Sequence, residues 1–120
     1  MNKKTLVLGA STNPSRYSYL AIQRLISNKQ QVKAVGRKEG EINGVKIRTT
    51  KKIFKNIHTI TLYLNKKNQV EFYDYILEVK PKRVLFNPGT ENIELEDLLF
   101  KNNIAFEKAC TLVLLSLGEY

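Results

Sequence analysis

The stretch Thr5-Leu6-Val7-Leu8-Gly9-Ala10-Ser11-Thr12-Asn13-Pro14-Ser15-Arg16-Tyr17-Ser18 decides the fold. Thr5 to Leu8 is a short apolar run that ends at Gly9, the pattern of a buried strand. Hydroxyl and amide side chains follow. From Ser18 to Ser27, Ile22, Leu25 and Ile26 fall at i, i+3 and i+4, one face of a helix. The stretch is therefore strand, polar loop, helix. Gly9 permits a tight turn or a close approach of backbone to a ligand. Ser11, Thr12 and Asn13 bring hydroxyls, an amide and backbone N–H groups. The helix start adds unpaired N–H groups and partial positive charge, and Arg16 offers a charge-assisted contact. This is the chemistry of a phosphate site, although a plain capped turn has the same residues. Only Gly9 is present, so the loop is not the three-glycine dinucleotide fingerprint, and it lacks the lysine of a P-loop.

The same alternation continues along the chain. Gln31 to Val35 reads as a second strand ending at Gly36. Asn43-Gly44, between Ile42 and Val45, is a turn signal within a small extended excursion over Glu41 to Arg48. Ile57 to Leu64 is a third strand. Asn68 to Lys80 sets Val70, Tyr73, Ile76 and Leu77 on one helical face, and Pro81 stops it. Arg83 to Phe86 is a fourth strand. Asn92 suits an N-cap, Glu94, Glu96 and Asp97 suit the helix start, and Leu95, Leu98 and Leu99 form its buried face. Ile104 to Phe106 is a fifth strand. Thr111 to Leu117 is a short apolar helix that would pack on the body or on a second subunit. Strands alternating with helices imply a parallel sheet covered on both faces. The expectation is an α/β, Rossmann-like, doubly wound and mainly parallel sheet of five strands. Its ligand would lie outside the carboxyl ends of the strands at the switch point, beside the first strand.

Composition bounds the rest. The 120 residues suit one domain, 1–120, and 42% hydrophobic with 26% charged residues exclude a disordered chain. No apolar run reaches the ~20 residues that span a bilayer. Leu6 to Ala10 is too short for a signal-peptide core, and the one cysteine excludes an internal disulfide. A cytoplasmic protein is expected. The net charge of +9 is uneven: residues 1–60 carry thirteen Lys/Arg against two Asp/Glu, and residues 61–120 carry seven against nine. Such a field favours a small anionic partner such as a nucleotide.

The remaining loops refine this. After the second strand comes Gly36-Arg37-Lys38-Glu39-Gly40. The position of the acid that would take the 2′-hydroxyl of NAD is Gly36, followed by two cations, which favours a ligand with an additional phosphate such as NADP. Asn87-Pro88-Gly89-Thr90-Glu91-Asn92 follows the fourth strand and offers backbone N–H groups or a plain capped turn. Cys110 follows the fifth. No catalytic set appears. His58 is the sole histidine, no Cys/His spacing suits a metal, and there is no nucleophile elbow. Tyr17, Tyr19, Tyr63, Tyr73 and Tyr75 are not organised by an RNA-binding signature, which disfavours nucleic acid.

Three of these segments are similar to a known family. Gly9 to Tyr19 resembles the opening loop of the small stand-alone coenzyme A (CoA) binding proteins. Their Rossmann domain is similar to the CoA-binding domain of the succinyl-CoA synthetase α subunit. Phe86 to Asn92 resembles the loop after the fourth strand in one branch, and Ala109-Cys110-Thr111-Leu112-Val113 resembles the C-terminal Cys segment. The resemblance implies CoA or an acyl-CoA as ligand and a binding role without catalysis. Its pyrophosphate would lie against Gly9, Ala10, Ser11, Thr12, Asn13, Arg16, Tyr17 and Ser18. Gly36, Arg37 and Lys38 would meet the adenosine end, with Lys38 at the family's lysine position and Arg37 in place of its proline. Leu64, Asn65 and Lys66 would border the ligand, with Asn87, Pro88, Gly89 and Cys110 beyond. The synthetase's other domains are absent, so ligase activity does not follow. Two other readings compete: an NADP-linked enzyme or nucleotide sensor on the same fold, and a nucleic-acid or partner-binding module driven by charge. A redox role for Cys110 as a mixed disulfide with CoA is a narrower one.

Overall fold

The computed structural model describes residues 2–120. One sheet of seven strands organises them. In chain order these are β1 (Thr5–Ala10), β2 (Val32–Gly36), β3 (Gly40–Ile42), β4 (Val45–Arg48), β5 (Thr59–Leu62), β6 (Arg83–Phe86) and β7 (Ala105–Lys108). The helices are α1 (Tyr17–Ser27), α2 (Lys66–Gln69), α3 (Tyr73–Val79), α4 (Ile93–Lys101) and α5 (Thr111–Ser116), with a 3-10 turn over Val70–Phe72. The spatial order is β3-β4-β2-β1-β5-β6-β7. Every pairing is parallel except β3 with β4. This is the doubly wound, Rossmann-like α/β sheet.

The sheet has two strands more than the five expected. The excursion turned by Asn43-Gly44 is a β-hairpin, and both turn residues have positive φ (+46° and +89°), as a two-residue hairpin turn requires. Ile42 and Ile47 bury against the sheet's neighbours, and β4 then pairs with β2. Strands of three and four residues are too short to show a period in sequence, so only their turn was legible.

Alternate residues of the central strands feed two cores. Leu6, Leu8, Ile60, Leu62, Val84 and Phe86 face Tyr75, Ile76, Leu95 and Leu99 of α3 and α4. Val7, Ala34, Ile47 and Leu85 face Ile22 and Leu25 of α1 and Leu115 of α5. Each fully buried leucine or isoleucine contributes ~1.5–3 kcal/mol to folding. The third strand is shorter than expected, and His58 lies just outside it. The helix expected over Asn68 to Lys80 is broken. It starts early, where the Asn65 side chain accepts from the Asn68 N–H, and the 3-10 turn then faces Val70 to solvent, 54% exposed. Gln69, not an apolar residue, is the one buried there. Lys80 ends α3 in the left-handed region ahead of Pro81. No helix among the described residues is long and apolar enough to cross a membrane.

Candidate functional site

The chain runs from β1 to β2, on to the edge strand β3 and back through β4, then crosses to β5 on the other side of β1. The switch point therefore lies between the carboxyl ends of β1 and β5. Six parallel strand ends stand in a row there, β4-β2-β1-β5-β6-β7, and the five from β2 to β7 span ~19 Å at ~4.8 Å per strand. Every residue expected at the site falls on this edge.

Gly9 sits at the switch point with φ +92°, and a Cβ there would come within 2.7 Å of the carbonyl oxygen of Tyr63, just past β5. The loop beyond it shapes itself. Ser11 Oγ accepts from the Asn13 N–H at 3.0 Å, and Asn13 Oδ1 accepts from the N–H and hydroxyl of Ser15. The Asn13 carbonyl accepts from Arg16 N–H at 3.0 Å. Arg16 is the N-cap of α1, with extended backbone and no capping side-chain hydrogen bond, and the first turn holds no acid. The helix start is thus electropositive and uncapped. Ser18 is buried, and Thr12, Asn13, Arg16 and Tyr17 are exposed. The start of α4 is the opposite case: Asn92 caps it, and Glu94 and Glu96 offset its dipole.

The basic turn abuts this loop. Gly36 pairs with Ala10 in the sheet, and a Cβ on Gly36 would overlap the Ala10 carbonyl oxygen. Past it, Arg37 and Lys38 are exposed. Among the described residues the one ion pair joins Lys51 to Glu71, so Arg16, Arg37, Lys38 and Lys66 are not neutralised by one.

Beyond β1 the edge changes character. Asn87 is 2% exposed and spends its side chain inside the protein. Its Nδ2 donates to Thr61 Oγ1 at 2.7 Å and to the Leu62 carbonyl at 2.9 Å, and its Oδ1 accepts from the Thr111 N–H at 2.8 Å. Thr61 and Thr111 also join through their hydroxyls at 2.8 Å. Gln69, fully buried, donates to the Leu64 and Thr90 carbonyls and accepts from Asn92 Nδ2. Asn92 Nδ2 donates in turn to Tyr73 Oη. These amides fasten the loops after β5, β6 and β7 to one another. Asn87 is therefore a positioning residue by its side chain, while Pro88 and Gly89 beside it are exposed. Leu64 is half-buried, and Asn65 and Lys66 are exposed. Cys110, half-buried, is the N-cap of α5. Gln69, Thr61 and Thr111 also belong to this edge, and their only mark in the sequence is a polar residue at a core position of an apolar pattern.

Tyr63 lies under this knot. Burial pushes its phenol up to about 12, against the opposing pull of the Thr111 and Thr61 hydroxyls. These stand near but outside hydrogen-bond geometry, since the Tyr63 hydroxyl has no partner. His58, at the other end of the sheet, is held below the usual histidine range by partial burial and by Arg83, Lys3 and Lys82.

Hollows of about 480 and 250 Å³ lie at the amino edge, lined by residues such as Pro81, Asn103 and Ile104 in one and Asn28, Gln30 and Tyr120 in the other. Neither holds a residue of the carboxyl-edge loops. The topology and the uncapped α1 make the carboxyl edge the candidate site. Among the described residues no group of three His, Cys, Asp or Glu could hold a metal ion.

Known structures share this architecture. A crystal structure of a protein called only uncharacterized is 49% identical, with a TM-score of 0.97 over 100% of this chain and 99% of that one. A hypothetical protein from Pyrococcus horikoshii OT3 is 23% identical, with a TM-score of 0.84 over 92% and 80%. The dinucleotide-forming acetyl-coenzyme A synthetase 1 of Ca. Korarchaeum cryptofilum, solved with phosphate and ADP, is 20% identical. Its TM-score is 0.65 over 83% of this chain and 23% of that one. No curated protein matches the chain. The profile of the CoA binding domain matches residues 3–116, and the chain belongs to that family of CoA-binding domains.

Proposed function

We propose that this protein binds CoA or an acyl-CoA without transforming it, as a single cytoplasmic domain. The observation that carries the reading is the division of the carboxyl edge. Its β1–β2 half presents the uncapped start of α1, the Ser11 and Thr12 hydroxyls, Arg16, Arg37 and Lys38, and among the described residues no ion pair engages these cations. Its β5–β6 half satisfies its buried polar side chains within itself through Asn87, Gln69 and Asn92, with Lys66 and Lys67 exposed at the start of α2. CoA divides the same way, with a pyrophosphate and a 3′-phosphate at one end and an uncharged pantetheine arm at the other. The pyrophosphate would lie on Gly9–Ser18, with the 3′-phosphate toward Arg37 and Lys38. The arm would cross Leu64–Lys66 and Asn87–Gly89 toward Cys110. Membership of the CoA-binding family supports the ligand class. The basic N-terminal half would speed its encounter.

Calorimetry with CoA, dephospho-CoA, NADP and NAD at near-physiological salt tests this. CoA should bind best. Replacing Ser11 and Arg16 together by Ala should weaken CoA at least ~10-fold, since charge-assisted hydrogen bonds contribute ~1.5–3 kcal/mol each. An unchanged affinity in a folded double variant would sink the phosphate-loop assignment. A preference for NADP over CoA would favour the nucleotide-sensor reading.

A further inference from the structure

The segment 110–120 is attached in an unusual way. Of α5, only Thr111 and Leu115 are buried, while Val113 and Leu117 are 50% and 63% exposed. What lies beneath it is mixed: Thr5, Thr59 and Thr61 are fully buried on that face, beside the apolar Val7 and Leu85 with which Leu115 and Tyr120 cluster. At the carboxyl edge the segment is tied by the Thr111 N–H to Asn87 and by the Thr111 hydroxyl to Thr61. At the amino edge Tyr120 Oη meets Thr5 Oγ1 at 2.5 Å, and the Tyr120 main-chain oxygen accepts from Lys3 Nζ at 2.6 Å and Arg83 Nη2 at 2.8 Å. The Arg83 guanidinium stacks 4.6 Å over the Tyr120 ring. Between the two ties lies the buried Tyr63 hydroxyl, which has no hydrogen-bond partner. A hollow of about 250 Å³ opens beside Leu115, Gly118 and Tyr120.

These features share one physical consequence. Hydroxyls and amides released to water regain hydrogen bonds there, so the polar ties open at small net cost and the resistance to opening comes from the apolar contacts of Leu115 and Tyr120. The Tyr63 hydroxyl gains a partner only on opening. A six-residue helix does not sustain itself without its packing. The segment also begins at Cys110 and is tied to Asn87, both on the candidate site's edge.

We propose that residues 110–120 form a strap that unlatches as one unit while the sheet stays folded, and that ligand on the carboxyl edge holds it shut. The second half rests on the CoA reading above. Opening is a local event of the low-stability kind, distinct from global unfolding. Closure would regulate access to the Cys110 end of that edge.

Hydrogen exchange read by mass spectrometry on the full chain tests both halves. In the free protein, the strap amides of Leu114, Leu117, Gly118 and Glu119 should exchange together, at least ~100-fold faster than those of β1 and β5. Tyr63→Phe, which deletes the unpartnered hydroxyl, should slow strap exchange by about fivefold, and Tyr120→Phe, which deletes a tie, should speed it by about fivefold. Strap amides that exchange only with the core, or a Tyr63→Phe strap no slower than the parent, would overturn the latch. Saturating CoA should slow the strap by at least ~10-fold. CoA that binds by calorimetry with no change in strap exchange would overturn the coupling alone. No CoA binding would overturn the functional reading and the coupling with it, and the free-protein rates would still decide the latch.

Discussion

Asn87→Ala is the sharpest probe of how this edge is built. The residue is 2% exposed and makes three side-chain hydrogen bonds, to Thr61, to the Leu62 carbonyl and from the Thr111 N–H. Each such bond contributes ~0.5–1.5 kcal/mol net, so their loss costs ~1.5–4.5 kcal/mol. The partners fare differently. Thr61 Oγ1 keeps Thr111, but the Thr111 N–H loses its side-chain acceptor in a fully buried residue, which places the cost near the middle of that range. We expect ~3 kcal/mol. With an unfolding entropy of ~2.1 cal/mol/K per residue over 120 residues, that is a fall in Tm of ~12 °C. Thermal unfolding followed by circular dichroism, with Lys66→Ala as an exposed control expected to change by no more than ~0.5 kcal/mol, measures it. An Asn87→Ala protein melting within ~3 °C of the parent would show that the buried amide knot does not hold the loops. The assignment of Asn87 as a positioning residue would then fail.

Two other outcomes follow from the geometry. Because His58 titrates below its unfolded value near 6.5, the unfolded chain binds more protons between the two values. Stability is therefore full above pH 6.5 and lost on acidification through that window, and His58→Gln should flatten that part of a Tm-against-pH curve. Equal slopes in parent and variant would remove His58 from the account. Gly36→Ala puts a methyl against the Ala10 carbonyl and should destabilise the protein by ~1–3 kcal/mol while displacing Arg37 and Lys38. A variant as stable as the parent, with unchanged CoA affinity, would show that the approach of the two loops is not tight.

The amino-acid sequence by itself determined the architecture wherever the signal is local and repeated. The apolar run before Gly9, the i, i+3, i+4 faces of α1 and α4, and the Asn43-Gly44 and Asn92 turn and cap signals are all properties of a few consecutive residues, set by backbone geometry and side-chain period. The placement of the five expected strand ends in one row followed from right-handed crossovers. Three things needed the tertiary structure. The hairpin strands β3 and β4 join the sheet only because β2 is there to pair with β4, on which β3 then pairs. The break at Val70 arises because Gln69 is drawn inward by carbonyls of Leu64 and, twenty-one residues away, of Thr90. The knot of Asn87, Thr61 and Thr111 joins residues twenty-four to fifty apart, and no local pattern records a hydrogen bond that depends on where two distant strands end. Likewise, Arg37 and Lys38 were readable as cations, but their nearness to the first loop rests on the Gly36–Ala10 contact, which folding alone creates. Local chemistry was written in the sequence; the company each residue keeps was decided by the packing of the sheet.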